Sequence, residues 1–89
     1  YYPYFWGHAH ETGVGKGAGF NLNLPLMLGS RDATWLEAGD KALARIRDFA
    51  PTALVVALGL DAAESDPLQG LKVTGDGFHA MARKIAGLG

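Results

Sequence analysis

The sequence predicts an α/β fold with a mainly parallel sheet, and three observations predict it. Residues 53–60, Ala-Leu-Val-Val-Ala-Leu-Gly-Leu, form an unbroken apolar run, the habit of a parallel strand buried on both faces. Ahead of it, Trp35, Leu36, Ala42, Leu43, Ile46 and Phe49 recur at helical spacing, as on the apolar stripe of a crossover helix. Behind it lies a polar loop that opens with Asp61. Open parallel sheets hold their ligands just past the carboxyl ends of the strands.

The elements follow in order. Residues 1–19 read as loop, with five aromatics in Tyr1–Trp6, His8 and His10, and glycine at 7, 13, 15, 17 and 19. Phe20 to Leu26 alternates as a short strand that Pro25 ends or confines to an edge. Gly29-Ser30-Arg31-Asp32 is a turn, and Ser30 or Asp32 can cap the helix that follows. Glu37, Asp40, Lys41, Arg45 and Arg47 fall mostly off its apolar stripe, and Pro51 closes it. The buried strand occupies about 53–58. Thr74 then reads as an N-cap, with Asp76 in the first turn suiting the positive end of the helix dipole. Phe78, Met81, Ala82, Ile85 and Leu88 give a second amphipathic helix. The order is loop–β–α–β–loop–α, with no internal repeat and no domain boundary.

Composition narrows the function. The chain is 89 residues long, 48% hydrophobic and 19% charged, with a formal net charge of −1. That balance gives no electrostatic case for nucleic acid, which calls for a clustered basic face. No apolar stretch reaches membrane-spanning length, and the aromatic N-terminus does not resemble a signal peptide. With no Cys, thiolate metal sites are excluded, and the default location is cytoplasmic. The chain starts without Met and carries thirteen glycines. Two visible strands cannot cover both faces of a buried sheet, so residues 1–89 are expected to be a piece of a larger α/β domain.

Several residue groups could carry chemistry. Asp61 ends the apolar run, where a carboxylate is costly to desolvate unless something positive meets it. It reads either as a metal ligand or catalytic acid, or as a structural Asp that caps the loop through its own backbone. Glu64 and Asp66 share that loop, as members of a metal site or as solvated acids making turns. His8-Ala9-His10 places two imidazoles at alternate positions, a pattern that suits zinc, but a loop lacks a scaffold to hold them. Gly13-Val14-Gly15-Lys16-Gly17-Ala18-Gly19 invites a phosphate-loop reading. Its spacing fails, and it precedes a strand instead of joining strand to helix. Glycines packed into a tight loop are the simpler account. His79, beside Phe78, reads as partly exposed. The Tyr1–Trp6 cluster could cap a core, stack a base or line an apolar slot.

The ordered series Tyr2-Pro3-Tyr4-Phe5-Trp6-Gly7, Glu11-Thr12-Gly13, Gly15 to Asn21, Asn23-Leu24-Pro25-Leu26, Leu58-Gly59-Leu60-Asp61 and Asp66-Pro67-Leu68 resembles the later part of a zinc-dependent deacetylase domain. The family is that of the histone deacetylases and acetylpolyamine amidohydrolases, and the similarity runs from Tyr2 to about Ile85. The aromatic segment followed by Glu-Thr-Gly is closer to the acetylpolyamine amidohydrolase branch. The resemblance implies a three-layer α/β/α arginase-deacetylase fold and a Zn2+ cofactor. It also implies hydrolysis of the acetyl amide of an acetylated polyamine or acetyl-lysine peptide, with homo-oligomerisation possible. By the same resemblance Asp61 matches the last zinc ligand of an Asp-His-Asp set. Tyr2 and Leu68 match walls of the substrate tunnel, a Tyr standing where the family often has Phe. Asp66 and Gly59 belong to the structural loop around Asp61. No catalytic residue falls within the chain, since the family's His pair and its Tyr match nothing in it.

Two other classes compete. One is a non-catalytic deacetylase-like remnant or small α/β interaction module. The other is an arginase-like two-metal hydrolase, which Ala62-Ala63 after Asp61 disfavours because such sites pair carboxylates there. With one zinc ligand and part of a tunnel, the 89 residues alone are expected to be inactive and to bind zinc weakly. Zinc-dependent deacetylation by the isolated chain in an acetate-release assay would overturn this.

Overall fold

A computed structural model of the chain describes residues 7–67 and 70–88. Its regular elements are α1, Asp32–Phe49, and α2, Gly75–Ala86, preceded by one 3-10 turn at Gly15–Gly17.

Both helices lie where the apolar spacing predicts, but the start of α1 differs from expectation. The residue before it is Arg31, and no side chain caps it. The Ser30 hydroxyl donates instead to the Met27 carbonyl at 2.6 Å. Asp32 is the first helical residue, and its carboxylate accepts the Thr74 N–H at 2.8 Å. Each expected cap is therefore engaged elsewhere. At the far end Ala50 adopts the left-handed conformation, φ 55, and its N–H bonds the Ile46 and Arg47 carbonyls at 3.0 and 3.1 Å. Pro51 then blocks a further helical turn. In α2 the expected cap forms, since the Thr74 hydroxyl accepts the Gly77 N–H at 3.1 Å, and Asp76 occupies the first turn.

The helices pack against each other. Trp35 meets Phe78 edge-on, with ring centroids 5.2 Å apart and planes at 70°, a favoured geometry for aromatic pairs. Gly39 gives Met81 room, because a Cβ there would lie 2.7 Å from its sulfur. Leu43 is buried at 5% exposure. Lys84 and Asp40 pair at 2.9 Å on the rim, where such a bridge contributes little.

Residues 70–74 are held from two sides. On one side Gly29 donates to the Gly70 carbonyl at 2.9 Å and Lys72 to the Ser30 carbonyl at 2.8 Å, with a single parallel bridge between Arg31 and Lys72. On the other, Val73 donates to the Ala62 carbonyl at 3.0 Å and accepts from the Glu64 N–H at 2.9 Å, a second parallel bridge pairing Ala63 with Val73. Val73 is 1% exposed.

The expected strands do not form ladders. Among the described residues nothing longer than those two single bridges is paired, and residues 20–26 and 53–58 have no strand partner. A strand exists only through hydrogen bonds to a neighbour, and the described residues offer none. Leu54, Val55, Val56, Leu58 and Leu60 are consequently 44–92% exposed. No helix among the described residues is long and apolar enough to cross a membrane.

The contact between helices yields a paired test. A Cβ at Gly75 meets nothing within 4 Å, whereas one at Gly77 would overlap the Asp32 carboxylate, 2.6 Å from its Cγ. Gly-to-Ala in a helix ordinarily gains up to about 1 kcal/mol. Gly75→Ala should raise the thermal midpoint slightly, while Gly77→Ala should lower it through about 1–3 kcal/mol of overpacking. Thermal melts of the two variants check the opposite signs.

Candidate functional site

The loop after the apolar run is built from two successive turns. Ala63 donates to the Leu60 carbonyl at 3.1 Å and Asp66 to the Ala63 carbonyl at 3.0 Å. Both turns are fixed from outside, because Ala62 and Glu64 hold the backbone of Val73 between them. Asp61 therefore stands at the head of an anchored loop.

Its carboxylate is exposed. Among the described residues no hydrogen bond or ion pair engages it. The residue two positions earlier leaves it space: a Cβ at Gly59 would lie 2.9 Å from Asp61 Oδ1. The carboxylate thus folds back over the Gly59 backbone, where a Cβ would make it swing aside. Asp61 also lines a cleft of about 350 Å³ whose other walls include Leu24, Leu26, Trp35 and Leu71. A single carboxylate beside apolar walls can serve as one hard oxygen donor to a divalent cation. A structural zinc site takes four ligands and a catalytic one three plus water. Among the described residues no three His, Cys, Asp or Glu side chains converge. Asp61 therefore fits as one ligand of a metal and not as a centre by itself.

The other expected residues separate. Asp66 is half-buried and its N–H closes the second turn. Glu64 is exposed, as a solvated acid would be. Tyr2 and Leu68 lie outside the described residues. His8 and His10 stack face to face, centroids 5.5 Å apart and planes 7° from parallel. Their turn is closed by Glu11, which donates its N–H to the His8 carbonyl at 3.1 Å and accepts the His8 N–H at 2.5 Å. Both rings are exposed, and no third ligand joins them among the described residues. His79 is exposed.

The glycine segment is a folded loop, as the simpler reading held. The Thr12 carbonyl accepts the N–H groups of Gly19 and Asn21 at 2.8 and 3.2 Å. The Asn21 amide donates to the Glu11 carbonyl at 2.6 Å, and the Asn23 amide to the His8 carbonyl at 2.9 Å. Arg45 ties the loop to α1 through the Gly19 carbonyl at 2.6 Å. Gly13 has φ +108, and a Cβ there would overlap the Gly17 carbonyl, so this position requires glycine.

Sequence reasoning missed the contact between Asp32 and Thr74. Besides the amide bond, the Thr74 hydroxyl donates to Asp32 Oδ2. The hydroxyl and then the amide of Thr74 hold the Asp32 carboxyl below the usual carboxylate range, since hydrogen bonds to the charged form favour it. Each residue alone reads as a helix cap, and nothing in their spacing links them.

Comparison with known proteins places these features. The whole chain, residues 1–89, matches the histone deacetylase domain family. It is 43% identical over 88 residues to an acetylpolyamine amidohydrolase of Burkholderia pseudomallei, covering 99% of this chain and 26% of the relative. It is 40% identical over 81 residues to histone deacetylase 5 of Arabidopsis thaliana, covering 89% of this chain and 12% of the relative. The likeness to the acetylpolyamine amidohydrolase is the longer of the two. A crystal structure of acetylpolyamine aminohydrolase from Burkholderia pseudomallei superposes with a TM-score of 0.94 at 43% identity, over 99% of this chain and 26% of that one. The chain thus spans about a quarter of the length of these bacterial relatives.

The fit of Asp61 over Gly59 is open to a direct test. If Asp61 serves as a metal ligand in the full-length protein, Gly59→Ala should displace its carboxylate and weaken metal binding by about tenfold or more. Because the displaced group is exposed, the thermal midpoint of the metal-free protein should barely move. A metal titration with a parallel melt checks both.

Proposed function

This chain belongs to the histone deacetylase domain family, and from that premise we propose that it forms part of a zinc-dependent deacetylase. The reaction is hydrolysis of the acetyl amide of an acetylated polyamine or an acetylated lysine. The observation that carries the reading is the Asp61 carboxylate, free of partners among the described residues, folded over Gly59 at the head of an anchored loop. The longer match to the acetylpolyamine amidohydrolase favours the small acetylated amine as substrate.

The proposed architecture is the three-layer α/β/α arginase-deacetylase fold, with residues 53–60 as a central strand of a mainly parallel sheet. In support, the run exposes five large apolar side chains, Val55 at 92%. Burial of each such side chain is worth about 1.5–3 kcal/mol, so the run belongs between sheet neighbours and not in water. Residues 1–89 are then the later portion of a longer deacetylase domain.

Asp61 would supply one negative oxygen ligand to zinc, and the remaining ligands would come from elsewhere in the domain. A bound zinc provides Lewis-acid polarisation of a carbonyl and activation of water for amide hydrolysis. Within this chain, the turns through Ala63 and Asp66 hold the Asp61 backbone, and Gly59 leaves its carboxylate room. The adjoining cleft, with Leu24, Leu26, Trp35 and Leu71 among its walls, borders the carboxylate. Tyr2 and Leu68 flank the passage for the alkyl chain of the acetylated amine, a role that rests on the motifs around them. The chain contributes positioning and one ligand, while the groups that move protons lie outside it.

The test uses the full-length protein, assayed for acetate release from an acetylated polyamine and from an acetyl-lysine peptide, with zinc content measured alongside. Asp61→Ala should lower activity by at least about a hundredfold and reduce retained zinc. A wild-type protein without zinc-dependent acetate release would favour the non-catalytic deacetylase-like reading instead.

A further inference from the structure

The hydrogen bonds around Val73 connect the Asp61 loop to a carboxylate on a different element. Asp61 is followed by Ala62, whose carbonyl accepts the Val73 N–H at 3.0 Å, and the Val73 carbonyl accepts the Glu64 N–H at 2.9 Å. The next residue, Thr74, gives both its donors to Asp32: its N–H to Oδ1 at 2.8 Å and its hydroxyl to Oδ2. The hydroxyl oxygen in turn accepts the Gly77 N–H at 3.1 Å. Both oxygens of Asp32 and both capacities of the Thr74 hydroxyl are thus used. Asp32 also lies in the first turn of α1 and against the first turn of α2, where the positive ends of two helix dipoles favour a negative charge.

We infer that Asp32 is a positioning residue for Asp61, acting through Thr74 and Val73 on the loop that presents the metal-ligating carboxylate. The inference rests on the reading of Asp61 as a zinc ligand. The polar groups of Asp32 and Thr74 are occupied with each other and with Gly77. Together they fix the backbone of Val73, which is 1% exposed and holds Ala62 and Glu64 on either side of the loop. Loosening Thr74 lets Val73 shift, and the loop backbone that carries Asp61 loses its anchor. Partners that orient a metal ligand from outside its own coordination typically change metal affinity by about 10–100-fold.

The experiment compares full-length wild type with Asp32→Asn, Thr74→Val, Thr74→Ser and Asp61→Ala. Readouts are the rate of zinc loss to a chelator, kcat and KM separately, and the thermal midpoint. Asp32→Asn and Thr74→Val should release zinc about tenfold faster or more, with kcat lowered and KM little changed. Thr74→Ser, which keeps the hydroxyl, should behave as wild type. A lowered thermal midpoint with zinc release at the wild-type rate would reduce the contact to a helix joint and overturn the inference. If the variants do not fold, hydrogen exchange on the wild type decides. Zinc removal should loosen residues 61–66 and 70–77 together, and loosening of 61–66 alone would count against it. Should Asp61→Ala keep zinc as firmly as wild type, the metal reading falls and this inference with it. Should Asp61→Ala lose zinc while Asp32→Asn holds it, only the inference falls.

Discussion

The main chain of Lys72, Val73 and Thr74 uses its hydrogen-bonding groups on opposite sides, and the rest of the described structure depends on that. Lys72 donates toward the turn that precedes α1, and Val73 donates to and accepts from the loop after the apolar run. Thr74 then begins α2. One short extended stretch thereby joins the turn before α1 and the loop after the apolar run to the start of α2. A buried backbone group left without a partner costs about as much as a lost hydrogen bond. With Val73 almost wholly buried, the arrangement opens only by exposing several such groups at once. The joint is therefore cooperative: the turn before α1, the acidic loop and the start of α2 hold or loosen together.

The local features were legible because local rules decide them. Apolar spacing placed both helices, Pro51 marked the end of the first, and Thr74 with Asp76 marked the start of the second. Ser30 and Asp32 show where such rules stop. Both are good capping residues, yet each found a different partner, and for Asp32 that partner lies across the contact between helices. No periodicity reports a contact between residues so far apart. The strands failed for a related reason. The apolar run at 53–60 reads as a buried strand, but strand formation is a property of neighbours, and the described residues contain none for it.

The candidate site was legible in a divided way. Chemistry alone singled out Asp61 and left two readings open, and the ordered motifs gave the metal reading its weight. The structure adds what neither could provide. Gly59 leaves room for a carboxylate two residues on, and the two turns after Asp61 are held by Val73. The histidine pair was the tempting alternative. Its rings do lie together, but no further ligand meets them among the described residues, whereas the Asp61 loop has a fixed backbone and a bordering cleft.

The pairing of α1 with α2 also bears on the order in which the chain folds. The apolar run lies between the two helices in sequence, so their contact through Trp35 and Phe78 closes a loop that contains it. Loop closure carries an entropic cost that must be met before distant contacts contribute. Once the helices have met, both ends of residues 53–60 are tethered within one closed loop. Its freedom to sample distant contacts is reduced once the loop is closed. The time during which this exposed, β-prone run could join the wrong chain is shortened accordingly.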